Sequence, residues 1–335
     1  MTVIYHDEHA NPAYLSDKQI AVIGYGKFGR PVALNLRDSG VRLMIGALND
    51  ASGQSAISEG LNVGTIAESV QQSDILMMLL PEEIMPAIYL EQISPHLRRG
   101  QTLIFSSAYT VMFRFIEPPP FIDVGLIAPR IPGAALHELY ESGEGFQSFV
   151  AVGQDSSGQS WNTILAVAQA VGALRQGGIE VSFEQETELD LFVHQAILPA
   201  LHNLLTTAAT LLLSRGYPPE AVFTELYLSG ELGFYLRQAS QFGLLNTLNL
   251  APRINQYGTT SRIDRFDELK LQRLMEDALK EIHSGDFARE WTKEANDNYR
   301  RLRSFLKLQE NLEIWELEQQ TLELLGRDTD ANPDQ

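Results

Sequence analysis

An apolar run leads directly into a Gly-x-Gly-x-x-Gly turn near the start of the chain, and a helix-forming segment follows it. The run covers residues 20–23 and the turn covers 24–29. In such a turn the first glycine permits a sharp reversal, the second lets backbone approach a pyrophosphate, and the third lets the helix pack on the strand. The pattern predicts a nucleotide-binding βα unit with these cofactor-contacting residues: Gly24, Tyr25, Gly26, Lys27, Phe28 and Gly29.

Short apolar runs alternate with helical patterns over the first half of the chain, which is typical of a doubly wound parallel sheet. The runs are 18–24, 41–46, 74–80, 102–106, 121–127, 148–152 and 178–181. The alternation stops near Phe183, and helical patterns follow at 184–214, 218–241, 265–283 and 286–324, the last with an expected break. We therefore predict an α/β Rossmann-type domain over 1–182, an all-α domain over 183–325 and a flexible tail over 326–335.

The charge and composition of the chain exclude several classes of protein. Acidic residues outnumber basic ones by 43 to 25, and the net charge of −18 would repel nucleic acids and anionic membranes. The absence of cysteine excludes disulfides and thiolate metal sites. The apolar segment 196–213 contains His202 and Asn203, so we expect a buried helix with a core polar pair instead of a membrane span. We predict a cytoplasmic protein that binds neither nucleic acid nor membrane.

The loop after the second apolar run should meet the adenosine ribose of a bound dinucleotide. It contains Asn49, Asp50, Ser52 and Ser55. The two serines could hydrogen-bond a 2′-phosphate, whereas Asp50 would repel that group and suits a free 2′-hydroxyl. NADH is narrowly favoured over NADPH, and both remain open. Asp50 can equally be an ordinary turn residue.

In their order and spacing, several stretches resemble the ketol-acid reductoisomerases (acetohydroxyacid isomeroreductases), in the short bacterial form of that family. They are IYHDE at 4–8, GYG at 24–26, ALNLRDSG at 33–40, LLPEE at 79–83, PP at 118–119, APRIPG at 128–133, ETELDLF at 186–192 and GDFAREW at 285–291. The resemblance implies NADPH or NADH on a Rossmann-type domain, with Leu80 and Pro81 as further cofactor contacts. It also implies a knotted, 6-phosphogluconate-dehydrogenase-like helical domain that forms homodimers, and isomerisation and reduction of 2-acetolactate with two magnesium ions.

The chain departs from the family's metal-binding pattern. Asp190 matches one expected carboxylate, but His194 stands where the family has glutamate. On a later helix Glu231 matches a carboxylate, and Tyr227 falls where another is expected. Imidazole is a poor ligand for magnesium, so we expect the two-magnesium site to be lost. Asp190, His194 and Glu231 could instead hold one transition-metal ion, although a simple histidine–carboxylate contact is the favoured interpretation.

Other family positions also change, and we interpret most catalytic residues as replaced. Ser107 occupies the place of an expected histidine, Arg130 that of a lysine, and Pro252 that of a serine. Arginine keeps the positive charge but does not exchange protons. Arg130 could bind a substrate carboxylate, while Ser107, Tyr109 or Tyr227 could orient or protonate a carbonyl oxygen.

The sequence therefore predicts an NAD(P)H-dependent oxidoreductase for a small oxo or imino substrate. Arg130, Ser107, Asp190 and Glu231 are its candidate catalytic residues. Two alternatives stay open. One is a non-catalytic cofactor-binding protein derived from the family, and the other is a true ketol-acid reductoisomerase with atypical ligands.

Overall fold

The computed structural model describes residues 2–48, 50–266 and 269–327. The chain divides into two compact units, the first ending at Asp190 and the second beginning at Leu191. The helical stretch Phe183–Ser214 runs through this division. The boundary placed from the sequence at 182/183 corresponds to the beginning of that stretch, whereas the division lies inside it. Of the tail assigned to 326–335, residues 328–335 lie outside the described residues.

In the described part of the first unit, nine strands form one sheet. They are β1 (Ile4–Tyr5), β2 (Gln19–Ile23), β3 (Arg42–Gly46), β4 (Val63–Gly64), β5 (Ile75–Met78), β6 (Thr102–Phe105), β7 (Asp123–Pro129), β8 (Ser148–Gln154) and β9 (Gly178–Glu180). Their order is β1-β9-β8-β7-β6-β5-β2-β3-β4. Strands β2 to β7 pair in parallel, so their carboxyl ends share one edge. The order reverses beside β2, which is where open α/β sheets bind ligands.

The sheet is mixed, although the sequence pattern predicted parallel strands. β8 runs antiparallel to β7, and β1 runs antiparallel to β9. The reason lies in the connection after β7, because the Arg130 N–H donates to the Gln147 carbonyl at 2.9 Å and the chain re-enters the sheet where β7 ends. The sequence pattern missed β1 and β4, since strands of two residues are too short to show an apolar alternation.

Helices cover both faces of this sheet. They are α1 (Gly29–Asp38), α2 (Ala51–Ser58), α3 (Ile66–Gln72), α4 (Met85–Ile88), α5 (Tyr109–Met112), α6 (Gly133–Glu141), α7 (Ser160–Ala170) and α8 (Phe183–Phe192), with short 3-10 or π segments at Asp7–His9, Pro12–Leu15, Tyr89–Ile93 and Ser94–His96. Along β2, Ile20 and Val22 belong to one apolar core, and Ala21 and Ile23 belong to the other. All four are buried, as expected where helices cover both faces of a strand.

The second unit is helical. Its helices are α9 (Leu198–Ser214), α10 (Pro219–Phe223), α11 (Glu231–Phe242), α12 (Leu244–Thr247), α13 (Arg253–Thr260), α14 (Leu269–Ser284), α15 (Asp286–Asn296), α16 (Arg300–Glu310) and α17 (Glu313–Leu324), with 3-10 or π segments at Val193–Ile197, Thr224–Leu228, Leu248–Leu250 and Ile263–Phe266. The single helix expected over 218–241 is wrong, because Gly230 adopts a φ of 81° and interrupts it. The expected break in 286–324 is confirmed. The Rossmann-like α/β unit followed by a helical unit confirms the predicted fold class.

The apolar helix of the second unit is mostly exposed, so the expectation of a buried helix is wrong. Of residues 191–214 only Ala196 and Ala209 are buried, and His202 and Asn203 are exposed instead of forming a core pair. With α8 and the π segment included, Phe183–Ser214 is long and apolar enough to cross a membrane by length and composition.

Candidate functional site

The glycine turn between β2 and α1 has the geometry that a dinucleotide requires. Gly24 has a φ of 100°, and a Cβ at this position would lie 2.9 Å from the Leu79 carbonyl oxygen. A Cβ on Gly29 would lie 2.1 Å from the Gly24 carbonyl oxygen, so glycine is required for the helix to start here. A Cβ on Gly26 would meet nothing within 4 Å, which leaves its backbone open to a ligand. The turn therefore fits a pyrophosphate.

A network centred on Glu59, which the sequence analysis missed, joins this turn to α2. The carboxylate accepts hydrogen bonds from Tyr25 Oη at 2.9 Å, Arg30 Nε at 2.7 Å and Ser55 Oγ at 3.4 Å. Burial acts to raise the pKa of Glu59, but the bonds from Arg30 and Tyr25 outweigh it and lower that pKa. Tyr25 and Ser55 thus contact an acidic group beside the cofactor turn.

Asp50 caps the first turn of α2. One of its carboxylate oxygens accepts hydrogen bonds from the Ser52 N–H at 3.0 Å, the Ser52 hydroxyl at 2.6 Å and the Gly53 N–H at 3.1 Å. These bonds, with the Ser52 hydroxyl first, lower the pKa of Asp50. Asp50 therefore places a negative charge at the amide groups that would otherwise attract an anion. Asn49, also assigned to the cofactor, lies outside the described residues.

The remaining cofactor candidates lie close to the turn. Leu80 follows β5, and its Cδ2 atom would lie 3.1 Å from a Cβ on Gly24, while Pro81 is exposed at the same edge. Gly133, at the start of α6, packs so closely that its Cβ would lie 2.6 Å from the Lys27 carbonyl oxygen. Phe28 contacts the same glycine, and the Lys27 side chain is exposed.

Arg130 follows β7 and binds two carboxylates of α8. Its Nη2 donates to Glu186 at 3.1 Å, its Nη1 donates to Asp190 at 3.3 Å, and its Nε donates to the Ala128 carbonyl at 3.2 Å. The guanidinium also lies 4.9 Å from the centre of the Phe149 ring. Because three N–H groups are engaged, two remain for a substrate.

Glu186 is the most buried carboxylate of this cluster, with 1% of its surface exposed. It accepts a further hydrogen bond from the Ala108 N–H at 2.9 Å. Burial raises its pKa to about 7, although the Ala108 bond and Arg130 act against the shift, while Asp190 and Glu82 add to it. A carboxyl with a pKa near neutrality can both donate and accept a proton.

Glu82 completes the cluster from the loop after β5. Burial raises its pKa, a hydrogen bond with Ser107 acts in the opposite direction, and the charge of Asp190 raises it further. Tyr109 is also buried, and its hydroxyl has no hydrogen-bond partner among residues 2–48, 50–266 and 269–327. Burial, with Glu82 second, raises the pKa of Tyr109 to about 12. Ser107, Tyr109, Arg130 and Asp190 thus belong to one cluster at the carboxyl edge of the sheet.

The other candidate site residues lie in the second unit. His194 and Glu231 are exposed, on the π segment Val193–Ile197 and at the start of α11. Tyr227 donates a short hydrogen bond to Glu318, and burial followed by this contact raises its pKa. Its hydroxyl is therefore engaged, which speaks against the role of proton donor given to it. Glu82 and Glu186 were not assigned roles from the sequence, although both lie in stretches that carried the family resemblance.

Family models match nearly the whole chain. Residues 14–177 match the acetohydroxy acid isomeroreductase, NADPH-binding domain, and residues 183–326 match the ketol-acid reductoisomerase, C-terminal domain. A relative from Methanocaldococcus jannaschii named ketol-acid reductoisomerase (NADP(+)) is 35% identical over 92% of this chain and 94% of its own length. One of the same name from Pyrobaculum aerophilum is 38% identical over 92% and 94%.

Solved structures agree with these matches. An NADH-preferring ketol-acid reductoisomerase from an uncultured archaeon has a TM-score of 0.88 and 32% identity, covering 96% of this chain and 99% of that one. A semialdehyde dehydrogenase NAD-binding protein from Cupriavidus necator, with a TM-score of 0.59 and 19% identity over 80% and 99%, shares the fold alone. The chain therefore belongs to the ketol-acid reductoisomerase family of NAD(P)H oxidoreductases.

Proposed function

We propose that this protein is an NAD(P)H-dependent reductase of a small 2-oxo or imino acid, in which isomerisation of acetolactate has been lost. The observation that carries the proposal is the Arg130 guanidinium between Glu186 and Asp190. A cation already pairs with Asp190, the carboxylate that the family pattern assigns to magnesium, and with the neighbouring Glu186. A guanidinium beside Asp190 would also repel a divalent ion at that carboxylate.

The side chains of the cluster suit the reduction of a carbonyl or imine. The cofactor supplies the hydride, so the protein has to position the substrate and supply a proton. The Tyr109 hydroxyl is available to orient the substrate oxygen, and the two remaining N–H groups of Arg130 can bind a substrate carboxylate. Glu186, with a pKa of about 7, can supply this proton through water. Arg130 would thus both bind the substrate carboxylate and neutralise Glu186 and Asp190.

We propose NADH as the preferred cofactor. A 2′-phosphate at the start of α2 would meet the charge of Asp50, and the hydroxyls of Ser52 and Ser55 already donate to Asp50 and to Glu59. A free ribose 2′-hydroxyl can instead donate to Asp50. Tighter binding of NADPH than of NADH would contradict this preference.

A second candidate is the complete reductoisomerase with atypical ligands. The names of the two archaeal relatives favour it, since they are 35% and 38% identical to this chain. In that case Arg130 would have to release Asp190 when magnesium binds. The two candidates differ in their need for a divalent ion and in their substrate.

One set of assays distinguishes these functions. Cofactor binding is measured from the fluorescence of NADH and NADPH, and oxidation is then followed with 2-acetolactate and with a panel of 2-oxo acids, each with magnesium and with EDTA. We expect binding, and turnover of a 2-oxo acid in EDTA. Magnesium-dependent turnover of acetolactate would establish the second candidate, and cofactor binding without any turnover would support a non-catalytic protein.

We also propose a homodimer through the helical unit. Many large apolar side chains are exposed there, among them Leu198, Leu204, Leu211, Phe234, Leu245 and Ile254. Exposed apolar side chains in such number are typical of a surface that is covered by a partner. Light scattering should give twice the chain mass of 37.4 kDa, and Leu204→Glu with Leu211→Glu should lower it to one chain. A wild-type protein with the mass of one chain would contradict the dimer.

A further inference from the structure

Three potential metal ligands meet between α1 and α6, outside the cofactor site. Nε2 of His137 lies 3.9 Å from Oδ2 of Asp38 and 3.6 Å from Oε1 of Glu141. The three donor atoms all lie within 4.8 Å of one another. His137 and Glu141 are four residues apart on α6 and share one face of it. We propose that this Asp38–His137–Glu141 triad binds a divalent transition-metal ion, with Zn²⁺ as the best match.

Buried Asn35 fixes the histidine in the form that binds metals. Asn35 is 0% exposed, and its amide nitrogen donates to the carbonyls of Val171 at 3.0 Å and Leu136 at 3.5 Å. Its oxygen is therefore turned towards Nδ1 of His137, at 2.7 Å. Nδ1 then donates to this oxygen, and Nε2 is the ring nitrogen that faces the two carboxylates. This is the arrangement in which a second hydrogen bond orients a metal-binding histidine.

The carboxylates are arranged around the same point. Oδ1 of Asp38 accepts a hydrogen bond from Arg37 Nε at 2.8 Å, so Oδ2 is the oxygen that faces His137. Two carboxylate oxygens that face one ring nitrogen favour a positive charge at this point, either a proton on Nε2 or a metal ion bound by it. Ligand atoms around tetrahedral zinc are roughly 3.3–3.5 Å apart, as follows from bonds of about 2.0–2.2 Å. The two contacts of His137, at 3.9 and 3.6 Å, exceed this spacing by a few tenths of an ångström, and exposed Glu141 can change rotamer to bring its oxygen, now within 4.8 Å of the other donor atoms, closer to Asp38.

The chemistry of the triad selects the kind of ion. One imidazole and two carboxylates suit Zn²⁺ and neighbouring transition metals, whereas magnesium prefers oxygen ligands only. At about 1.5 Å per residue, Asp38 lies on the order of 13 Å along α1 from Gly29. The site is thus remote from the glycine turn, and its ion would link the ends of α1 and α6.

The test uses the full-length protein after treatment with EDTA. Titration calorimetry and metal analysis are expected to show one tightly bound Zn²⁺ per chain, which magnesium does not displace. Zn²⁺ at about a hundred times its Kd should raise the Tm of the first unit by roughly 5–10 °C. Equal Zn²⁺ binding by wild type and His137→Asn, or no binding by wild type, would overturn the proposal.

The choice of variants separates binding from folding. His137→Asn removes Nε2 but keeps a nitrogen near the position of Nδ1 that can donate to Asn35, and we expect at least a tenfold loss of Zn²⁺ affinity. His96→Asn removes a histidine elsewhere in the first unit and should bind like wild type. If His137→Asn does not fold, Glu141→Gln changes only an exposed side chain, and it should show the same loss. Wild-type affinity in Glu141→Gln would equally overturn the proposal.

Discussion

Replacing Glu186 with glutamine should flatten the dependence of stability on pH. The folded protein holds the pKa of Glu186 at about 7, against an ordinary value of 4.5. A raised carboxyl pKa contributes stability that is fully present below pH 4.5 and is lost as the pH rises through 7. The Glu186 carboxyl therefore lowers the free energy of unfolding as the solution becomes more alkaline.

The magnitude follows from the two pKa values. Between pH 5 and pH 8 the linkage relation gives a loss of about 2.5 kcal/mol for this single group. The glutamine in Glu186→Gln cannot titrate. Between pH 5 and pH 8, the fall in the free energy of unfolding should therefore be about 2.5 kcal/mol smaller in the variant than in the wild type. The substitution also weakens one of the bonds with Arg130 and Ala108, at a cost of about 1–3 kcal/mol that is largely independent of pH. The difference between the two pH slopes is therefore the informative quantity.

The assay is equilibrium unfolding in urea at pH 5 and pH 8, at one protein concentration. Glu184→Gln is the matched control, because Glu184 is exposed on the same helix and should leave the slope unchanged. An unchanged slope in Glu186→Gln would refute the reasoning. It would mean that Arg130 and the Ala108 N–H hold the carboxylate ionised despite its burial.

Three further predictions concern the cofactor turn and the cluster. Gly29→Ala places a Cβ 2.1 Å from a carbonyl oxygen, so it should lower the Tm and abolish nucleotide binding. Gly26→Ala meets no atom within 4 Å, so it should fold normally but bind NADH at least tenfold more weakly. Thermal melts measure the stability of both variants, and fluorescence titration measures their affinity for NADH. Asp50→Asn keeps the helix cap but removes the charge, so the affinity for NADPH relative to NADH should rise about tenfold in the same titration. Arg130→Met leaves the buried Glu186 without its cation and should lower the free energy of unfolding by about 2–3 kcal/mol at pH 8, a modest cost because Arg130 is 26% exposed. The loss should be smaller at pH 5, because Glu186 is then protonated and needs no cation. Urea unfolding at the two pH values measures both effects.

The sequence predicted the first unit well because its strands are apolar runs between clear turn signals. The turn at Gly24 and the end of the alternation near Phe183 were both visible in the residue pattern. The direction of each strand in the sheet was not visible, because the antiparallel direction of β8 depends on how the chain after Arg130 returns to the edge of the sheet. That return is a property of packing and leaves no periodic signal.

Pairing between distant side chains decided what the sequence could reveal about the site. Single substitutions such as Arg130 for lysine were visible, and each suggested a lost function. The contacts between these residues were not visible in the sequence, because Glu186 lies 56 positions from Arg130 and only the fold brings the two together. The same holds for Glu59, which has no motif of its own and becomes informative through its contacts with Tyr25 and Arg30.

The position of Arg130 changes how the substitutions in this family member are to be understood. Without a cation beside it, Glu186 at 1% exposure would be costly to keep ionised. An arginine that donates to Glu186 and Asp190 removes that cost while leaving the glycine turn unchanged. The retained Glu186 and Asp190 and the substituted Arg130 therefore form one ion-paired cluster at the carboxyl edge of the sheet.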